Sequence, residues 1–121
     1  MNLLTLFYIL NATLLILHEI ESGYEREWKI LKLPGEITSF LILHVPIIFV
    51  LFYGLLEVDQ LSNFRFIMGL LTGLGGIIPF LVHKIFVKRE ERFNLLISNI
   101  IIYSNILTGI ILFISSLYFL I

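Results

Sequence analysis

Four long apolar stretches dominate this chain, at residues 2–20, 37–56, 64–87 and 93–121. The hydrocarbon core of a bilayer is ~30 Å thick, and a helix rising ~1.5 Å per residue crosses it in about 20 apolar residues. Each stretch therefore predicts one transmembrane helix. Strands do not fit, because the runs are continuous and an open sheet would leave backbone polar groups unsatisfied in lipid. The expected fold is an all-α polytopic membrane protein. It is one four-transmembrane-helix bundle over residues 1–121, with a short interfacial helix or loop after the first helix.

The composition agrees: 59% of residues are hydrophobic, 14% are charged and the mean hydropathy is +1.02. A net charge of -1 gives no electrostatic footprint for nucleic acid. Cysteine is absent, which excludes disulfides, a thiolate nucleophile and Cys-ligated metal. The N-terminal run lacks the basic flank and the small-residue cleavage site of a signal peptide, so it is read as a retained helix.

Lys and Arg set orientation. Arg26, Lys29 and Lys32 fall in the first connection, and Lys84, Lys88, Arg89 and Arg92 surround the third, against Arg65 alone near the second. The 21–36 and 88–92 connections are thus expected on the cytoplasmic face of a plasma membrane, with both termini outside.

Ionisable side chains inside a membrane are costly, about 2.5 to 3.5 kcal/mol each at the centre on insertion scales, so each invites a functional reading. His18 ends the first helix, His44 lies inside the second and His83 inside the third. Glu21 and Glu25 follow His18 at i+3 and i+7, on one helical face. If that face points inward, His18, Glu21, His44 and His83 form a candidate metal shell. Its donors suit Zn or another divalent transition metal. Glu25 or Glu27 would then serve as general base or as the partner of an imidazole. The alternatives are helix packing and solvation. Asn94, Ser98, Asn105, Thr108 and Ser115 share a face of the last helix and suit interhelical hydrogen bonds. Trp28 suits a headgroup anchor, and Gly69, Gly73, Gly75, Gly76 and Pro79 suit close packing with a kink.

The run His18-Glu19-Ile20-Glu21, the pair Glu27-Trp28, the triplet His44-Val45-Pro46 and His83 together resemble an uncharacterised family of small four-helix prokaryotic membrane proteins. That family is akin to the membrane proteins named for an HXXEE motif. The resemblance implies a prokaryotic source and adds Glu19 to the site positions, beside His18, Glu21, Glu27, Trp28, His44 and His83. Two positions depart from the pattern: Pro79 stands where a second helix-three histidine is expected, and Ser22 where HXXEE requires Glu. The period favours Glu25 and the resemblance favours Glu27. Both fit if the helix breaks near Gly23, a poor helix former, and a short helix carries Glu27 and Trp28.

Three functional classes follow. One is a metal-dependent hydrolase or transferase acting on lipid or another amphiphile. The second is a proton-relay or transport component, for which a homodimer would widen the conduit. The third is a non-catalytic subunit of a membrane protein partner.

Overall fold

The structure is a computed structural model and describes residues 2–86 and 95–120. Its elements are α1 (Leu3–Tyr24), α2 (Glu27–Ile30), α3 (Glu36–Asp59), α4 (Arg65–Phe80), a π-helical turn (Leu81–Phe86) and α5 (Leu96–Leu120). Among the described residues, four helical segments are long and apolar enough to cross a membrane: Leu3–Tyr24, Glu36–Asp59, Arg65–Ile85 and Leu96–Tyr118. At 25 residues, α5 is about 37 Å long, more than a perpendicular span requires. Asn94, Lys88, Arg89 and Arg92 lie outside the described residues.

Asn2 caps α1, its side chain accepting from the Thr5 N–H at 2.9 Å. The other helix ends are unusual. Three of them close through a left-handed residue that is not glycine, namely Arg26, Lys32 and Leu61. After α3, the Leu61 N–H bonds the Val58 carbonyl at 3.2 Å and the Ser62 N–H bonds the Glu57 carbonyl at 3.0 Å, the paired bonds of a Schellman cap. After α2, Lys32 to Lys29 and Leu33 to Trp28 repeat the pattern. The break after α1 therefore falls at Glu25 and Arg26. Gly23 stays helical, and its lack of a side chain admits the Phe40 ring.

Small residues decide the packing. α4 and α5 form the closest pair, because a Cβ on Gly73 would lie 2.8 Å from the Gly109 carbonyl oxygen and one on Gly109 would lie 2.7 Å from that of Gly73. In lipid, where apolar side chains gain nothing by leaving an equally apolar solvent, such backbone approach is what holds helices together. Ser98, Ile102, Asn105, Leu112 and Ser116 line the buried stripe of α5 on either side of Gly109. α1 buries Thr5, Tyr8, Asn11, Leu15, His18 and Ser22, a three-four spacing along one face. Tyr8 reaches α3 by donating its hydroxyl to the Leu51 carbonyl at 2.7 Å, over the bare backbone of Gly54. α3 is the least buried span, and most of its apolar side chains face outward.

At mid-span the polar residues of three helices meet. Asn11 donates to the Thr72 carbonyl at 2.7 Å, and Thr108 donates to Asn11 Oδ1 at 2.9 Å. Gly76 leaves room for Asn11 and Asn105 beside it. These bonds link α1, α4 and α5, which is the packing role expected of the α5 stripe.

Pro79 lacks an N–H and its ring crowds the carbonyl one turn earlier. Winding changes from α to π two residues later, at Leu81–Phe86. This wider turn, of a type often found at functional sites, carries His83 and Lys84.

Candidate functional site

The end of the bundle formed by the C-terminus of α1, α2, the start of α3 and the π turn gathers the ionisable side chains. His18 is 1% exposed, and its ring meets that of His83 edge-on with centroids 5.0 Å apart. His83 Nε2 lies 2.8 Å from Glu27 Oε1. Ser22 stands one turn after His18, its Oγ 3.3 Å from His18 Nε2. Burial pushes the Glu27 carboxyl up. The hydrogen bonds it accepts from His83 and Ser22, together with the charge interactions with the His83 and His18 imidazoles, outweigh that and hold it below the ordinary carboxylate value.

His18, Glu27 and His83 each offer one ligand atom, and these atoms lie within 4.8 Å of one another. Three atoms so placed always leave some point within about 2.8 Å of all of them (4.8/√3). Side-chain movements of under about 1 Å would bring them to the 2.0 to 2.2 Å of zinc–nitrogen and zinc–oxygen bonds. Two imidazoles and one carboxylate form the donor set of three-ligand zinc sites that keep a fourth position open. Among the described residues the group fits a divalent metal.

The expected ligand Glu21 lies elsewhere. Although it follows His18 by three residues, its carboxylate accepts from Ser98 of α5, while its Oε1 is buried with no hydrogen-bond partner among the described residues. His44 is also outside the three-residue group. Its Nδ1 donates to the Phe40 carbonyl at 2.6 Å, and its Nε2 lies 2.5 Å from Glu19 Oε2. A carbonyl can only accept, so Nδ1 carries a proton. The 2.5 Å contact then holds one further proton, which resides on the imidazole or on the carboxylate. Glu19 and His44 thus form a shared-proton pair across α1 and α3. Glu25 caps α1 and is half-buried, outside the three-residue group.

A cavity of about 240 Å³ reaches the Glu19–His44 pair on one side and His18 and Glu27 of the three-residue group on the other. His18, Glu19, Glu27 and His44 line it, and apolar side chains including Leu43, Ile47, Ile78 and Val82 form its walls. Trp28 also lines it. Its indole is 7% exposed and packs on Phe40 at 5.4 Å rather than projecting as an anchor. The Trp28 Nε1–H has no hydrogen-bond partner among the described residues.

Sequence reasoning named the imidazoles and carboxylates of this end but not their pairing, and it gave no part to Phe40 or to the Ser22 hydroxyl. The αL turn at Arg26 reverses the chain and returns Glu27 toward His18. The sequence carries no glycine there to signal it.

No curated protein and no solved structure matches the chain. A family model covers residues 4–119. The chain belongs to DUF6713, a family of unknown function.

Proposed function

We propose that this protein is a membrane-embedded hydrolase or group transferase, dependent on a divalent metal, whose substrate is a lipid or another amphiphile. One observation carries the reading: His18, Glu27 and His83, from three separate elements, bring three ligand atoms within 4.8 Å of one another beside an apolar-walled cavity.

A divalent ion at this position supplies a Lewis acid for a carbonyl or phosphoryl oxygen and makes water a stronger acid. The chain supplies the rest. His18 and His83 offer neutral nitrogen donors, and Glu27 offsets the ion's charge. The Glu19–His44 pair accepts the proton of the attacking water or alcohol and returns it to the leaving group. The Trp28 indole N–H is a donor for a substrate oxygen. For an ester, the water oxygen bonds to the acyl carbon and its proton passes to the Glu19–His44 pair. The bond to the alkoxy oxygen then breaks, and that oxygen takes the proton, leaving an acid and an alcohol.

The proposal includes orientation. Arg26, Lys29, Lys32 and Lys84 accompany the site in sequence, a charge bias that favours the cytoplasmic leaflet. Elemental analysis of detergent-purified protein tests the reading. Near-stoichiometric metal in the wild type, lost in His18→Ala and His83→Ala, is expected. Wild-type protein that stays metal-free after incubation with Zn, Mn, Fe and Ni salts would overturn it.

A second reading has its own support in the proton shared by Glu19 and His44, which also suits a relay. It predicts pH-driven proton flux in proteoliposomes that Glu19→Gln abolishes. Flux equal to that of empty vesicles would exclude it.

A further inference from the structure

A second cavity of about 280 Å³ lies along the groove between α1 and α3, lined by apolar side chains such as Ile16, Ile20, Leu41, Ile48 and Leu51. Its position relative to the first is informative. Glu19, Phe40, His44 and Ile47 line both cavities, so the shared-proton pair stands in their common wall. Gly23 at the rim carries no side chain to narrow the groove, and the Phe40 ring lies just beyond it.

The groove opens on the lipid side of the spans, since Ile20, Leu41 and Ile48 are 64%, 58% and 39% exposed. Its size suits a flexible hydrocarbon chain, whereas a helix is about 10 Å across with its side chains. A partner helix laid over the groove would also seal the polar Glu19–His44 pair in hydrocarbon.

We infer that the groove holds one acyl chain of the substrate, reached laterally from the bilayer, so that the polar end of the same molecule meets Glu19 and His44 and faces the His18, Glu27 and His83 group. This rests on the proposed hydrolase or transferase reading and makes its substrate an acyl-chain amphiphile. Chemistry would occur where the chain ends and the polar head begins.

The test uses full-length protein in phosphatidylcholine vesicles with a diazirine-bearing palmitic acid, followed by peptide mapping of the photolabel. Labelling at Ile20, Leu41 and Ile48 is expected to be lost when a small excess of unlabelled palmitate is added. Labelling at Val45 and Phe49, which are 69% and 71% exposed on α3 outside the groove, is expected to persist because bulk lipid supplies it. Ile20→Trp and Ile48→Trp, both lipid-facing, should abolish the competed labelling while leaving metal content unchanged. Equal competition on both faces, or groove labelling untouched by the Trp variants, would overturn the inference. Labelling needs no turnover and is repeated in His83→Ala. Metal-replete protein without saturable labelling sinks the groove alone, and saturable labelling in protein that never binds metal sinks only the catalytic reading.

Discussion

His44 Nε2 and Glu19 Oε2 approach to 2.5 Å while the other imidazole nitrogen donates to the Phe40 carbonyl, so a single proton lies between an α1 carboxylate and an α3 imidazole. The Phe40 ring packs against the imidazole, with centroids 4.1 Å apart and planes inclined by 34°. Removing Glu19 leaves the buried His44 Nε2 without this partner. Glu19→Gln keeps a hydrogen bond to His44 but cannot exchange the proton. Metal content should remain at the wild-type level while turnover of a fatty ester falls by about 10²- to 10⁴-fold, the usual contribution of general acid–base catalysis. A wild-type rate would remove the pair from the mechanism.

Metal should stabilise the fold. At a free concentration of 100 Kd, a ligand bound only by the native state adds about 2.7 kcal/mol. Scanning fluorimetry in detergent should show a melting temperature that rises with added Zn and returns with chelator. In Glu27→Gln and His83→Ala, Zn should leave it unchanged.

Glu27 links stability to pH in the metal-free protein. Its carboxyl is held below the ordinary value of 4.5 by the His83 and Ser22 hydrogen bonds despite burial. The stabilisation it gives is therefore fully present above pH 4.5 and is lost as pH falls through the lower folded value. In unfolding measured from pH 6 downward, the part of the stability that Glu27 contributes should be lost below pH 4.5, and Glu27→Gln should flatten the curve there. A limb of the same steepness in Glu27→Gln would assign it to other groups.

Gly73 and Gly75 give a packing contrast. A methyl group on Gly73 meets the Gly109 carbonyl at 2.8 Å and the Phe113 backbone at 2.9 Å, neither of which can rotate away. On Gly75 it meets the end of the Leu15 side chain at 3.1 Å, which can. Gly73→Ala should cost about 1 to 3 kcal/mol, the usual cost of overpacking, and Gly75→Ala much less. SDS titration of both variants measures the difference.

Leu61 occupies a left-handed backbone conformation with φ 56°. Such a residue costs roughly 1 to 2 kcal/mol without glycine, and glycine returns part of that through the unfolded chain. Leu61→Gly should therefore raise stability by up to about 1 kcal/mol, while the β-branched Leu61→Val should lower it. The same titration reads both.

The four spans were legible because bilayer thickness dictates their length and composition, and no tertiary detail can disguise runs such as Ile37 to Leu56. The site was legible only as a set of residues. Helical period extrapolates a straight α1, which puts Glu21 and Glu25 beside His18. Glu21 does stay on the helix but gives its carboxylate to Ser98, and beyond it the chain turns at Arg26, through backbone bonds that any L-residue can supply at a cost, so that Glu27 comes back to the imidazole. His83 was read on an α-helix, but the turn that carries it is π-wound after Pro79, which changes its direction. The meeting of Glu19 with His44 depends on how α1 crosses α3, a relation that neither helix records alone. Trp28 was read as a headgroup anchor because Trp is common there. Here it fills the corner between α2 and α3 against Phe40.

The bare-backbone contact of Gly73 with Gly109 leaves α4 and α5 nothing to rearrange short of separating. α3 touches its neighbours sparingly and has no comparable clasp. Compliance in this molecule is thus unevenly distributed, and displacement demanded by a guest falls on α3. Because the shared proton spans the seam between α1 and α3, opening that seam would also part its two holders. The protein would thereby couple mechanical yielding to the breaking of that hydrogen bond.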